Sequence, residues 1–243
     1  MKKVIVDIAS FGQTALKKAL KENKLNIVGV TVSPDVQNYE DLAVFNLEDI
    51  RTVSNVPVYT GAQRPLLNAE YVADKKCVKI EKTHEFADGH AVNFIIENAD
   101  EELEIICLGT LSNVALAILK DEEKMKKVGR IYVAGGSLLG YQSTTETAFH
   151  NILADVEAAD TVFKSGIPIT LVPYGEIDDL PSAVFAVACG CDYSSWDAFV
   201  TIDTSIGMTR GQTVIDTVGY NLITMEKTPG IRQTVVTKLG KGE

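Results

Sequence analysis

Chemistry in this chain could come from a small set of polar side chains, most of which follow predicted strands. Carboxylates gathered at one point could ligate a hard cation, because such cations prefer oxygen ligands. A histidine could act as a general acid, and an asparagine amide offers a donor and an acceptor to a hydroxyl-bearing ligand. The candidate residues are Asp7, Glu146, His150, Asn151, Asp178 and Asp179.

These side chains can meet only if a sheet brings them together, and the stretch from Leu103 to Tyr174 predicts one. It alternates helical segments with the strand runs L-E-I-I-C-L-G, R-I-Y-V-A-G-G and P-I-T-L-V-P-Y. This alternation is typical of a parallel sheet covered by helices on both faces. Ligands of such sheets bind outside the carboxyl ends of the strands. We therefore expect the turns after Leu108, Ala134 and Val172 to border a pocket.

The flanking segments extend the pattern to a single α/β domain over residues 1–243. Val4–Ile8 and Leu25–Val32 are rich in β-branched residues, which predicts two buried strands side by side in a mostly parallel central sheet. The segment Pro229–Leu239 predicts a closing helix, because proline suits the first helical position. Weaker signals predict short strands at Val78–Ile80 and Asn221–Met225.

Composition and charge limit the classes of partner. With 243 residues and 46% hydrophobic residues the chain can bury one large core. The net charge of −10 argues against nucleic acid, whose phosphates would be repelled. No stretch approaches the ~18 apolar residues of a membrane span, and the apolar run before Asp7 is too short for a signal peptide. We expect no membrane partner and a cytoplasmic location. Cys189 and Cys191 fit ordinary packing better than a metal or redox site.

Five segments resemble one known family in register. They are L-G-T-L-S-N-V-A-L-A-I from Leu108, A-G-G from Ala134, H-N-I-L-A-D-V-E-A-A from His150, V-P-V-Y-T-G-A-Q-R-P-L from Val56 and M-T-R-G-Q-T-V-I-D from Met208. The pattern resembles that of the inosine–uridine nucleoside hydrolases. The resemblance implies a nucleoside hydrolase-like, Rossmann-like fold and cleavage of the N-glycosidic bond of a nucleoside through an oxocarbenium-like transition state. It also implies a bound calcium that activates water and holds the ribose hydroxyls.

The N-terminal calcium motif of that family, D-x-D-x-G-x-D-D, is incomplete in this chain. The corresponding run is V-D-I-A-S-F-G-Q-T-A. Asp7 matches the first aspartate, but Ala9 stands at the second, and Gln13 and Thr14 replace the closing pair. Because calcium affinity follows the number of charged ligands, these replacements predict the loss of the metal.

Two other motifs also depart from the family pattern. In the segment that resembles H-D-P-L-A-V-A, Asp179 falls at the histidine and Leu180 at the ligand aspartate. The ribose-binding glutamate is replaced by Phe149, whereas Asn151 is kept. The resemblance therefore implies contacts to substrate from Phe149, His150 and Asn151. The only remnants of the metal site that match the family pattern are the Ser112 carbonyl and Asp7. The only remnants of the catalytic groups are Asp7 and Asp179.

Two hypotheses follow from these departures. In the first, the chain is a non-catalytic member of the family, and its calcium site is dismantled. Such a protein needs no cofactor, and it either binds a nucleoside or related N-riboside or acts in assembly. In the second, it cleaves the N-glycosidic bond with an altered acidic site built from Asp7, Glu146 and Asp178 or Asp179. His84, His90 or His150 could then protonate the leaving base, although solvated loop histidines are commoner than catalytic ones.

A further expectation concerns assembly. The family forms dimers and tetramers, so the resemblance implies that this chain is a homo-oligomer. Tyr193 and Trp196 lie in a segment that we predict to be a loop, and exposed aromatic residues often mark interfaces. Packing of Trp196 into its own domain is an equal alternative.

Overall fold

The computed structural model describes residues 2–35, 37–67, 79–138, 148–175, 177, 179–221, 226–228 and 230–240. The described strands are β1 (Lys3–Ile8), β2 (Asn26–Val32), β3 (Val58–Thr60), β4 (Leu103–Cys107), β5 (Arg130–Ser137), β6 (Ile169–Tyr174), β7 (Tyr193–Ile202), β8 (Thr213–Asp216), β9 (Tyr220–Asn221), β10 (Glu226–Lys227) and β11 (Gln233–Leu239). The described helices are α1 (Gln13–Glu22), α2 (Tyr39–Arg51), α3 (Ala91–Asn98), α4 (Ser112–Lys120), α5 (Glu122–Met125), α6 (His150–Leu153), α7 (Val156–Lys164) and α8 (Leu180–Ala188).

The largest sheet is mostly parallel. Its nine strands follow the order β3-β2-β1-β4-β5-β6-β11-β7-β8. The strands from β3 to β11 run parallel, whereas β7 pairs antiparallel with both of its neighbours. The predicted α/β fold is confirmed, as is the pairing of β1 with β2. The functional candidates at the ends of β1, β4, β5 and β6 consequently lie along one edge of the sheet.

Two apolar cores cover the two faces of this sheet. Alternate residues of β1 divide between them, since Ile5 joins the core under α3, α4 and α7, while Val4 and Val6 join the core under α1, α2 and α8. Side chains of a strand alternate between its faces, so β-branched residues at every position suit a strand that is buried on both sides. None of the described helices is long and apolar enough to cross a membrane.

The predicted closing helix is wrong, because its C-terminal half forms β11. Thr234 and Val235 pair with β6, and Gln233 and Val236 are buried at 2% and 0% exposure. The run T-V-V favours a strand when it is buried between two others, and this outweighs the helix-start signal of the proline. Pro229 itself lies outside the described residues.

Other secondary-structure predictions had mixed outcomes. Tyr193 and Trp196 lie in β7 rather than in a loop, and each is 39% exposed. Lys79 and Ile80 are not part of a strand. Asn221 lies in β9, and the rest of that predicted strand, residues 222–225, lies outside the described residues. Glu146, Asp178 and Val78 also lie outside the residues that the structure describes.

Candidate functional site: a cleft at the strand ends

A cleft of about 480 Å³ opens at the carboxyl ends of the parallel strands. Leu108, directly after β4, and Ala134 of β5 line it, as the sequence predicts, and Tyr174 lines it at the end of β6. Phe11 follows β1, and Leu180 begins α8. The cleft is therefore formed where loops leave four strands of the sheet, which is the usual position of a ligand in this class of fold.

Gly12 allows the chain to turn from β1 into α1 beside this cleft. Its φ of +94° lies in the left-handed region, which favours glycine. A Cβ atom at this position would stand 2.7 Å from Cδ1 of Leu108. Glycine thus permits the close approach of the α1 N-terminus to the end of β4.

Asn151 is positioned by two strands, and this limits what it can offer a ligand. Its Nδ2 donates to the carbonyl oxygens of Leu108 and Ala134, both at 2.9 Å. Both amide hydrogens are thereby used, whereas Oδ1 has no hydrogen-bond partner among the residues that the structure describes. The sequence-based expectation of a donor and an acceptor is therefore wrong in part, since Asn151 retains only an acceptor.

His150 lines the cleft and is held by a residue that the sequence analysis did not select. Nε2 of His150 lies 2.6 Å from Oδ1 of Asp35, and Oδ2 of Asp35 accepts a hydrogen bond from the Ser10 hydroxyl. The side chain of Asp35 is 1% exposed and that of His150 is 15% exposed. Because Asp35 follows β2, its position at a strand end was the signal that could have identified it.

Asp7 has a structural environment below the cleft. Its Oδ1 accepts a hydrogen bond from the Thr31 hydroxyl. Nδ2 of Asn113 also donates to this oxygen, at 2.8 Å. Its Oδ2 is buried without a hydrogen-bond partner among the described residues. Burial raises the pKa of Asp7 to about 6, against the opposing effect of the hydrogen bonds from Asn113 and Thr31. Asp7 does not line the cleft.

Ser112 is likewise buried in the protein, at 0% exposure as the first residue of α4. Its hydroxyl donates to Oδ2 of Asp155 at 2.5 Å, and Asp155 also accepts from the backbone N–H groups of Leu66 and Ala158. Burial raises the pKa of Asp155. These contacts join α4, α7 and the loop after β3.

Asp179 and the other two histidines mainly stabilise local structure. Oδ1 of Asp179 accepts from the Ser182 N–H and caps α8, although this exposed residue also lines the cleft. Nδ1 of His90 accepts from the Val92 N–H and caps α3. Nδ1 of His84 lies 2.7 Å from Glu48 on α2. His84 and His90 do not line the cleft.

The side chains at the calcium-motif positions do not fit a hard cation. Ala9 is buried and carries no donor, and Nε2 of Gln13 donates to the Ala9 carbonyl and to Asn46. Thr14 is exposed in the first turn of α1. Leu180 is 4% exposed and presents an apolar side chain to the cleft. Within the described ranges, no three His, Cys, Asp or Glu residues are grouped as metal ligands would be.

The sequence matches one family model and several curated hydrolases. Residues 6–179 match the family model described as inosine-uridine preferring nucleoside hydrolase. The pyrimidine-specific ribonucleoside hydrolase RihB of Escherichia coli O1:K1 / APEC is 29% identical over 170 residues, which cover 65% of this chain and 54% of that protein. The corresponding protein of Escherichia coli strain SE11 is 29% identical over 185 residues, 70% of this chain and 59% of its own. The chain thus spans a little over half the length of these relatives.

Solved structures share the fold. A plant nucleoside hydrolase, the PpNRh1 enzyme, superimposes with a TM-score of 0.84 at 20% identity, covering 98% of this chain and 94% of the other. A purine-preferring ribonucleoside hydrolase from Gardnerella vaginalis gives a TM-score of 0.80, with the same identity and coverage. The family model accounts for more than half of the chain. The chain therefore belongs to the inosine-uridine preferring nucleoside hydrolase family.

Proposed function

We propose that this chain binds a nucleoside or a related N-riboside in the cleft without hydrolysing it by a calcium-assisted route. One observation carries the proposal: Leu180 lines the cleft with an apolar side chain at the position of a ligand aspartate. A hard cation needs several charged oxygens, and Leu180 offers none. The cleft keeps a volume of about 480 Å³ and so has room for a small ligand.

The state of the remaining carboxylates supports the same proposal. Asp7 is fully buried, accepts hydrogen bonds from Thr31 and Asn113, and does not line the cleft. Asp179 accepts the Ser182 N–H at the start of α8. Cleavage of the N-glycosidic bond needs an activated water and stabilisation of positive charge. Loss of one strong electrostatic contribution typically costs ~10²–10³ in rate.

A two-part experiment tests this function. Titration calorimetry with inosine, uridine and adenosine measures binding, and release of free base measures hydrolysis, each with added calcium and with chelator. We expect a saturable isotherm whose dissociation constant is the same in both buffers, and no release of base. Base release that requires calcium would refute the proposal, and so would the absence of binding by all three nucleosides.

A second candidate function is hydrolysis that uses His150 instead of a metal-bound group. The 2.6 Å contact between His150 and Asp35 favours it, because a carboxylate can orient an imidazole for proton transfer in the cleft. In this route a water oxygen bonds to the anomeric carbon while the N-glycosidic electron pair leaves with the base. The base takes a proton from His150, and the water proton returns the imidazole to its starting state. Base release that persists in chelator and is lost in His150→Gln would favour this route over simple binding.

We also propose that the chain assembles with copies of itself. Tyr193 and Trp196 support this, since both are 39% exposed on β7, and exposed aromatic residues are enriched at interfaces. Multi-angle light scattering at high protein concentration tests the proposal. A dimer or larger species is expected, and a strict monomer would contradict it.

A further inference from the structure

Aromatic rings stand at two sides of the cleft. The ring of Phe11, after β1, meets the His150 ring edge to face, with centroids 5.6 Å apart and planes at 77°. The ring of Phe149 lies 5.8 Å from that of Tyr174, at the end of β6, with planes at 35°. All four residues line the same cleft. They offer flat apolar surfaces of the kind on which heteroaromatic bases stack.

One of these sides is fixed before any ligand arrives. Asp35 is buried and lies 2.6 Å from His150, so the imidazole has a defined position next to Phe11. Phe11 itself is 51% exposed and therefore has surface left for a ligand. Preorganised groups bind more tightly because less conformational entropy is lost on binding.

The polar side chains beside these rings suit the edge of a base. Asn151 has used its two amide hydrogens, and among the described residues nothing donates to its Oδ1, which can act as an acceptor. Asp179 is an exposed carboxylate with one oxygen bonded to the α8 N-terminus. Acceptors of this kind match the ring and exocyclic N–H groups of purines and pyrimidines. The same cleft presents Phe149 and Leu180 as hydrocarbon surface, which gives sugar hydroxyls no hydrogen bond.

From this arrangement we infer that the cleft recognises its ligand through the planar base and not through the ribose. The inference rests on the proposed binding function and specifies its chemistry. A free purine or pyrimidine base then binds nearly as well as the corresponding nucleoside, and the sugar alone does not bind. Recognition led by the base distinguishes this site from one in which a metal ion and carboxylates hold the ribose diol.

Calorimetry with adenine, adenosine and methyl β-ribofuranoside tests the inference on the full chain. We expect dissociation constants for adenine and adenosine within about tenfold of one another, and no binding of the riboside. If stacking carries the affinity, Phe11→Ala weakens adenine binding at least about 5-fold, as expected for one lost aromatic surface. Tyr174→Leu keeps an apolar side chain in a half-buried position and tests the opposite side of the cleft.

A matched control and the possible outcomes make the test decisive. Leu119→Ala removes an exposed apolar side chain on α4, outside the cleft, and is expected to leave adenine binding unchanged. Thermal unfolding of each variant shows whether it is folded. Adenosine binding with adenine more than tenfold weaker overturns the inference but leaves the proposed function intact. Adenine binding that is unchanged in both Phe11→Ala and Tyr174→Leu also overturns it. Failure of adenosine and the other nucleosides to bind refutes the proposed function itself.

Discussion

Replacing Asp7 by asparagine should change how the stability of the fold depends on pH. The folded-state pKa of Asp7 is raised by burial from 3.8 to about 6. Between these two values the unfolded chain has lost the proton and the folded chain still holds it. The unfolded state therefore binds fewer protons, and the free energy of unfolding falls as pH rises through this window. Each unit of pKa shift corresponds to 1.36 kcal/mol. The free energy of unfolding therefore falls by about 3 kcal/mol in total between a pH well below 3.8 and pH 7.

Asp7→Asn removes this titration while keeping the shape of the side chain. The amide oxygen can still accept hydrogen bonds from Thr31 and Asn113, as Oδ1 does now. The amide nitrogen replaces Oδ2, which has no partner among the described residues, and an unsatisfied buried donor costs about 1–3 kcal/mol. That cost does not vary with pH. The informative quantity is consequently the pH dependence of the difference between the two proteins and not the stability at any one pH.

Urea unfolding between pH 4 and pH 7.5 measures this difference, since the free energy is obtained from the midpoint and slope at each pH. Asp155 also has a raised pKa, but it contributes equally to both proteins and cancels. We expect the wild type to lose about 2 kcal/mol relative to Asp7→Asn between pH 4 and pH 7, because part of the total loss already occurs below pH 4. Thr31→Val should extend the loss to higher pH, because the Thr31 hydrogen bond lowers the pKa of Asp7. A difference that stays constant across the range would refute the assigned environment of Asp7.

Three other experiments have defined outcomes. Calorimetric titration of the unmodified protein with calcium should give no micromolar isotherm, because Ala9 and Leu180 provide no charged oxygen. A one-site micromolar isotherm would contradict this expectation. Asn113→Ala should lower the free energy of unfolding by about 3 kcal/mol or more, because Asp7, the Val32 carbonyl and the Ala62 N–H each lose a hydrogen bond. A urea midpoint close to that of the wild type would be inconsistent with these contacts. Gly12→Ala should destabilise the fold by about 1–3 kcal/mol, because Gly12 has a φ of +94° and the added Cβ would lie 2.7 Å from Cδ1 of Leu108. A thermal midpoint unchanged within about 1 °C would show that the turn tolerates a side chain.

The sequence predicts the parallel core of the fold well because apolar strand runs carry their own signal. β1, β2, β4, β5 and β6 were each expected from apolar strand runs, and the structure contains all of them. β11 was missed because its strand character depends on burial between β6 and β7. A proline near its start suggested a helix, and local sequence has no information about the partners on either side. Such tertiary contacts override weak local preferences.

The candidate site was predictable in part for a related reason. Leu108 and Ala134 were expected at the pocket because strand ends can be read from the sequence. The contact between Asp35 and His150 joins residues 115 positions apart, and nothing in the spacing of either residue indicates it. The two hydrogen bonds that occupy the amide of Asn151 depend on the distance between β4 and β5. Motif comparison selected Asn151, which lines the cleft, but could not show which of its atoms remain available.

The residues that family resemblance draws together fall into two physically separate groups. One group is buried at 0–1% exposure and bonded to other parts of the protein: Asp7, Ser112, Asn113 and Asp155. The other lines the cleft: Phe149, His150, Asn151 and Asp179. Substitution in the first group acts on the connections among β1, β2, α4 and α7, so it should change stability first and ligand affinity only as a consequence. Substitution of exposed cleft residues should do the reverse. A variant of Asp7 that abolished ligand binding while unfolding at the wild-type urea midpoint would break this division and return Asp7 to the site.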